Sequence, residues 1–473
     1  MAAGQLATPP DVGGVGDAHD APAHAGGLRR LKARQLQLPA SFSTGPGALA
    51  ARRFALGQAA LGVGGGVDAA MRAWYRRFWW AQLRREHGLL GAALRAAREP
   101  VVVAREVRRT VARHGPACER LFGVPVDVQR RQALWLALAR GIAPDSYYLF
   151  QLFRPERRAR AARYLQQREA ALLYRVLAYR DAVDDYLLLE DKRRFEQWCV
   201  AHALPTVRTL AEFADGARTT GRGPQGEAPE GAFGRELFSK PADANKGAGG
   251  RRWRWDGTAA WLDAGGQAFA WAALEAELAK QSCGQVVLLQ ECLANDPALA
   301  PVAGRALCTV RLLTARPPGG APDITHAAFR TGVGDASTDN VSTGGIGAAV
   351  DVATGRLTTA VCAHAGAVII PVDCHPDTGV ALAGFQLPHW DAAIALVLRA
   401  HRHLPAIGFV GWDVALTPDG PVFVEGNFSP AARIAQSPSG TPLGDTKHLH
   451  YLDAHLRHTY RRGARPRSAG GTA

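Results

Sequence analysis

A mixed architecture of helices and strands, α+β or α/β, preceded by a mainly helical region, is what this 473-residue sequence predicts. Three observations carry it. Residues 46–180 are arginine-rich, sparse in proline and spaced like amphipathic helices. Beyond Asp181 helical stretches alternate with β-branched runs. Near the C-terminal end two apolar runs flank Pro418-Asp419-Gly420, the turn chemistry of a hairpin. At roughly 100–200 residues per domain the length allows two to three domains.

Taken in order, residues 1–45 read as a largely disordered, basic N-terminal segment, because Met1–Gly27 is rich in Ala, Gly, Pro and Asp with no hydrophobic period. In residues 46–180, Leu165, Leu172, Leu173, Val176 and Leu177 recur at helical spacing. Residues 181–455 form the mixed domain, and residues 456–473 a basic tail. Within that domain the pattern predicts helices over Lys192–Ala203, Ala268–Gln281 and Ala392–His403. Strands are predicted at Glu236–Lys240, Gln285–Gln290, Thr309–Thr314, Trp412–Leu416 and Val422–Glu425, with Gly216–Gly231 as a loop.

The formal net charge of +14 is unevenly placed. Residues 1–180 hold 29 Lys and Arg against 12 Asp and Glu, whereas residues 181–473 hold 27 against 30. An anionic membrane surface, an anionic polymer or nucleic acid would suit the basic part; a set of solvated arginine-rich helices has the same composition. The seven cysteines are scattered with no Cys-x-x-Cys pair, which implies free thiols and a reducing compartment. The N-terminus lacks the basic start and apolar run of a secretory signal. Phe54–Met71 is the best membrane-span candidate, but it is Gly- and Ala-rich and contains Asp68. The expectation is a cytoplasmic protein. The Trp and Arg cluster at Trp74–Arg85 fits either the membrane face or packing on the neighbouring domain.

Four stretches carry chemistry. In the hairpin, strand alternation places Glu425 and Asn427 on one face, and the antiparallel partner brings Asp413 beside them. Two carboxylates and an amide oxygen make a hard-oxygen cluster suited to magnesium; solvated strand ends are the alternative. Phe238-Ser239-Lys240-Pro241 leads into Gly247, Gly249 and Gly250, so a strand-end lysine and backbone N–H groups are available to phosphate, although a flexible loop has the same composition. Val286–Glu291 is an apolar strand with a polar end, either an adenine slot ending on Glu291 or an ordinary core strand. Lastly, Arg311 lies within the Thr309–Thr314 strand, where an unpaired charge is costly. A phosphate, a carboxylate or a salt-bridge partner removes that cost. Arg330 follows it, and then Asn340 and the pair Gly344-Gly345, which suggest a tight loop near a ligand.

In this order the motifs resemble the ATP-grasp superfamily, and within it the sugar-transfer-associated ATP-grasp proteins, related to α-L-glutamate-ligase-like proteins. The matching stretches are Asp191-Lys192, Phe238–Pro241, Gln290-Glu291, Thr309–Arg311, Asp339–Gly345, His375–Gly379 with Leu387–Trp390, and Gly411–Asn427. The resemblance covers roughly residues 181–455 and implies an α+β ATP-grasp fold in which two subdomains clamp ATP. It implies that Lys192 and Lys240 contact the nucleotide, Glu291 the adenine edge and Asp296 the ribose. Arg311, with Arg330, lies near the reacting phosphate; Asp413, Glu425 and Asn427 hold Mg2+, with Mn2+ as a substitute. The implied activity is an ATP-dependent carboxylate–amine ligase working through an acyl phosphate. Its setting would be polysaccharide or cell-surface glycan synthesis, on a small-molecule or glycan-linked substrate, with no nucleic acid partner. A non-catalytic ATP-binding regulatory module and a phosphotransferase to a hydroxyl stay open beside it. After Asn427 the chain runs Phe428-Ser429-Pro430-Ala431 where many such enzymes have a Pro-Gly loop, and Arg251, Arg252 and Arg254 make the glycine-rich stretch unusually basic.

Overall fold

Apolar residues at helical spacing carry the chain through α1 (Val67–Phe122), which breaks at Gly88, where φ is 65° and ψ 179°. Glycine adopts this left-handed backbone without a Cβ penalty. α2 (Val126–Arg140) and α3 (Pro144–Leu149) pack against the second half of α1. The computed structural model describes residues 67–463 apart from 167–173, 175–176, 178–182, 222–227, 229–231, 233, 243–248, 337, 342–343, 365–367 and 431. Most of the Phe54–Met71 candidate, the side chains of the Trp74–Arg85 cluster, Gly247 and most of the Leu165–Leu177 period lie outside the described residues. No helix among the described residues is long and apolar enough to cross a membrane.

Past Glu99 the buried side of the helical layer (Val107, Cys118, Leu136, Tyr147, Phe150) closes on Val361, Val368 and Ile369 at the far edge of a sheet. Gln151 Nε2 donates to the Ile369 carbonyl at 2.7 Å across that seam. Pro155–Ala159 is helical and Ala161–Arg163 forms a 3-10 turn, after which Leu165 is clamped through both backbone groups by the Gln436 amide, at 2.9 and 2.8 Å; farther along the period Tyr174 and Leu177 are helical.

After the short helices α4 (Val183–Glu190) and α5 (Lys192–Ala201), the chain builds two seven-stranded antiparallel sheets. The first comprises β1 (Thr209–Ala214), β2 (Ala217–Thr220), β3 (Leu237–Pro241), β4 (Arg251–Trp255), β5 (Ala260–Leu262), β6 (Ala268–Ala270) and β7 (Val287–Glu291), in the order β2-β1-β7-β3-β4-β5-β6, and α6 (Trp271–Gln281) packs on it. The helix expected from Ala268 begins only at Trp271, because Phe269 pairs with Trp261 across β5 and sits edge-on to Trp253.

The second sheet comprises β8 (Thr309–Ala315), β9 (Asp323–Thr331), β10 (Ile346–Val350), β11 (Leu357–His364), β12 (Val368–Pro371), β13 (Phe409–Thr417) and β14 (Gly420–Asn427), in the order β12-β11-β10-β9-β8-β13-β14. One face holds Val310, Leu312, Phe329, Trp412, Val414 and Phe423, packed under α4, α5 and α7 (Trp390–Arg402). Alternation then sends Thr309, Arg311 and Asp413 to the opposite face, and a bulge in β14 between Phe423 and Glu425 sets Glu425 opposite Asp413 on that face as well. Gly426 makes the α5 docking possible: a Cβ there would lie 2.7 Å from Leu189 and 2.8 Å from Phe195. That close approach brings Lys192, at the start of α5, beside the end of β14.

Candidate active site

Between the two sheets lies a cleft of about 1210 Å3. Lys240, Arg252 and Arg254 line it from the first sheet, Gln290–Asn295 from the connection, and Thr309, Arg330, Asp413 and Glu425 from the second. Lys192, Gly250, Glu291 and Asn340 also face it. Gly249, Asp296, Arg311 and Asn427 do not line it.

Register explains the charged floor. Arg311 on β8 lies opposite Asp413 on β13, Asp413 lies opposite Glu425 on β14, and Thr309 lies opposite Arg330 on β9. Arg311 grips Asp413 with Nε on one carboxylate oxygen and Nη2 on the other at 2.7 Å. Arg330 Nη2 reaches the same carboxylate at 2.9 Å and Arg330 Nε stands 3.5 Å from Asp339. The Thr309 hydroxyl donates to Asp339 and accepts from Arg330 Nη2 at 2.6 Å. Burial opposes the charge on Asp413, but Arg311 and Arg330 outweigh it and hold the carboxyl well below the usual carboxylate range. Burial likewise opposes the Arg330 cation, and Asp413, Asp339 and Glu425 more than restore it. Arg330 is therefore a fixed cation on the cleft side, and Arg311 a supporting one behind it.

Lys240 faces this floor from β3. Burial lowers its pKa to about 8; Glu425 raises it and Lys192 lowers it further. Lys192 Nζ donates to the Ala242 carbonyl at 3.1 Å, tying α5 to the strand end that carries Lys240. Gly249 turns with φ 73° over Pro241.

The donor set fits a divalent cation that shares its shell with phosphate. Glu425 Oε1 accepts from Asn427 Nδ2 at 3.2 Å, which orients the amide and leaves its oxygen without a partner among the described residues. Both Asp413 oxygens are engaged by guanidinium groups. No cluster of three or more His, Cys, Asp or Glu side chains able to hold a metal occurs among the described residues. Magnesium binds such sparse carboxylate sets when substrate phosphates and water complete the shell.

At the other end Cys292 N–H donates to the Glu236 carbonyl at 3.0 Å, and Leu293 and Ala294, whose backbone groups make no backbone–backbone hydrogen bond among the described residues, line the cleft; the Leu293 carbonyl accepts weakly from Cys292 Sγ at 4.0 Å. Such groups suit the hydrogen-bonding edge of a planar base. Glu291 stands 3.7 Å from both Arg208 and Arg235. Asp296 is turned away: it caps the 3-10 turn Pro297–Val302 and pairs with His389 Nε2 at 2.9 Å.

Sequence reasoning passed over Asp339, Thr309 and Asn295 as individual site residues. Their signal is weak because each acts through a partner distant in sequence; Asn295 spans Ala306 and Cys308, at 3.0 and 2.8 Å. The His375–Gly379 stretch is a loop support. His375, fully buried, bonds the Gly332 carbonyl at 3.1 Å, and Asp377 accepts from Gly334 N–H at 2.7 Å, bracing the loop that carries Asp339 and Asn340. Gly345 closes that loop, since a Cβ would lie 2.8 Å from the Asp339 carbonyl.

The profile of the family described as sugar-transfer associated ATP-grasp matches residues 179–449. No curated protein matches the sequence. Among solved structures, D-alanyl-alanine synthetase A from Vibrio cholerae is 14% identical with a TM-score of 0.34, over 57% of this chain and 65% of that one. The D-alanine-D-alanine ligase from Coxiella burnetii is 12% identical with a TM-score of 0.33, over 63% and 69%. N5-carboxyaminoimidazole ribonucleotide synthetase from Thermotoga maritima is 10% identical with a TM-score of 0.30, over 56% and 49%. With the profile spanning more than half of its residues, this α+β chain belongs to the sugar-transfer associated ATP-grasp family.

Proposed function

We propose that the cleft binds ATP with magnesium and joins a carboxylate to an amine through an acyl phosphate, on a substrate connected with sugar transfer. One observation carries this most directly: Lys240 and Arg330, from opposite sheets, face Glu425 within a single cleft. Lys192, Lys240 and Arg330 supply positive charge for a triphosphate, and the backbone at Leu293 and Ala294 takes the adenine edge. Magnesium, held by Glu425 and Asn427 with phosphate oxygens, would offset charge on the transferred phosphoryl group. A substrate carboxylate oxygen attacks the γ-phosphorus, the bond to the β-bridging oxygen breaks, and ADP leaves. The amine nitrogen then attacks the acyl carbon, the carbon–oxygen bond breaks, and inorganic phosphate departs with the electron pair and the proton that the nitrogen loses. Arg330, anchored by Asp413 and Asp339, stays in place through both steps, and the residues between the sheets exclude the water that would hydrolyse the acyl phosphate.

The test is stoichiometric ADP and phosphate release on screening carboxylate and amine pairs, with the product mass equal to acid plus amine minus water. A phosphorylated hydroxyl product, or tight ATP binding with no turnover for any pair, overturns the ligase reading.

Lys240 adds a pH signature. Its ammonium is the phosphate-binding form, and with a pKa near 8 in the free protein it is lost as pH rises through that value. ATP affinity measured by calorimetry should therefore decline from pH 7.5 to 9.5. Lys240→Arg, which cannot deprotonate, should flatten the profile. Lys240→Met should bind ATP about 10–100-fold more weakly at pH 7, the value of one charge-assisted hydrogen bond.

A further inference from the structure

Away from the cleft, one basic surface plays no part in nucleotide chemistry. Beyond Gly88, α1 is anchored on one side, where Val107, Val111 and Cys118 are buried in the helical layer. Its other side is exposed at the described residues. Leu90, Leu94 and Val101 fall on one stripe at 100° per residue, with Ala97 and Ala104 between them. Their exposures are 79%, 57% and 55%. Exposed Arg98, Arg105 and Arg109 run along one flank of the stripe, and exposed Arg108 continues it. Residues 88–113 hold six arginines against two glutamates, one of which, Glu99, is buried.

We infer that this face of α1 seats the protein on an anionic lipid surface, with Leu90, Leu94 and Val101 in the headgroup layer and the arginines on lipid phosphates. Charge complementarity singles out this occupant: the stripe lies within residues 1–180, which carry the whole basic excess. A soluble polyanion would use the arginines but has no use for a row of exposed aliphatic side chains. Long arginine side chains bury their methylenes beside such a row while the guanidinium reaches phosphate, the arrangement of interfacial helices. No helix among the described residues crosses a bilayer, so the contact is peripheral.

The test is co-sedimentation of the full-length protein with phosphatidylcholine vesicles, alone or with phosphatidylglycerol replacing part of the lipid. Binding is expected only with the anionic vesicles and should weaken with salt. Two triple variants, Leu90→Ser/Leu94→Ser/Val101→Ser and Arg98→Ser/Arg105→Ser/Arg108→Ser, should each lower partitioning at least about tenfold. Their melting temperature and ATP affinity should match wild type, because the six side chains are exposed. Absent binding, or equal binding to neutral vesicles, overturns the proposal. An arginine variant that fails while the aliphatic variant binds as wild type assigns the face to a soluble polyanion instead. A change of oligomeric state in the aliphatic variant assigns it to a second copy of the chain.

Discussion

Glu425→Gln should lower ATP-dependent turnover about 100-fold or more and shift half-saturation to much higher magnesium, while leaving the melting temperature within a few degrees of wild type. The magnitude follows from the proposed role: outer-shell partners of a metal cost about 10–100-fold, and Glu425 is proposed as a direct ligand. Both Asp413 oxygens are bonded by arginines, whereas Glu425 has no arginine bond among the described residues. Its partner Asn427 is held by a 3.2 Å hydrogen bond that glutamine still accepts. The fold should tolerate the change because Arg330 keeps Asp413 and Asp339 as counter-charges. Turnover and magnesium dependence equal to wild type would remove Glu425 from the metal site, and a collapse in melting temperature would make its role structural. An Asn427→Ala variant should weaken magnesium dependence less, since it removes one neutral ligand and no charge.

The hairpin was readable from the sequence because its information is local. Two apolar runs flank a Pro-Asp-Gly turn, and strand period puts Glu425 and Asn427 on one side; the bulge that sets Glu425 rather than Val424 opposite Asp413 left no such local signal. Arg311 was readable only as a charge in need of a partner. Which partner it takes depends on β8 pairing with β13, some 100 residues later in the chain. Asp296 shows the converse. Only the family resemblance named it as a ribose contact; in the structure it pairs with His389, in a left-handed conformation at the start of α7, and does not line the cleft. β4 hid in the basic run Arg251–Arg254, where alternation buries only Trp253 and leaves the arginines exposed. β10, Ile-Gly-Ala-Ala-Val, is buried on both faces, so it has no alternation to betray it.

Asp413→Ala should be the most destabilising single substitution in the site, by about 3–5 kcal/mol, because it leaves two guanidinium groups facing each other without their common carboxylate. At roughly 2–4 °C per kcal/mol for a large domain, the melting temperature should fall by about 6–15 °C. Asp413 is 3% exposed and Arg311 6%, so water cannot take over the lost partner. Arg330 retains Asp339; Arg311 retains nothing comparable. Replacing Asp413 and Arg311 together, by Leu and Met, should recover much of the loss, since a buried pair exchanged for apolar residues is often neutral. The pH dependence has a fixed sign. The folded carboxyl is held below its unfolded value near 3.9, so its contribution is complete above about pH 4 and is lost as pH falls below that. Wild type minus Asp413→Asn should accordingly show a stability difference that is flat from pH 7 to about 4 and shrinks at lower pH. A constant difference down to pH 2, or a recovery absent in the Leu–Met double variant, would mean that packing and not charge makes Asp413 indispensable. Even with stability recovered, the double variant should stay slow, because Arg330 would lose the carboxylate that holds its guanidinium on the cleft side.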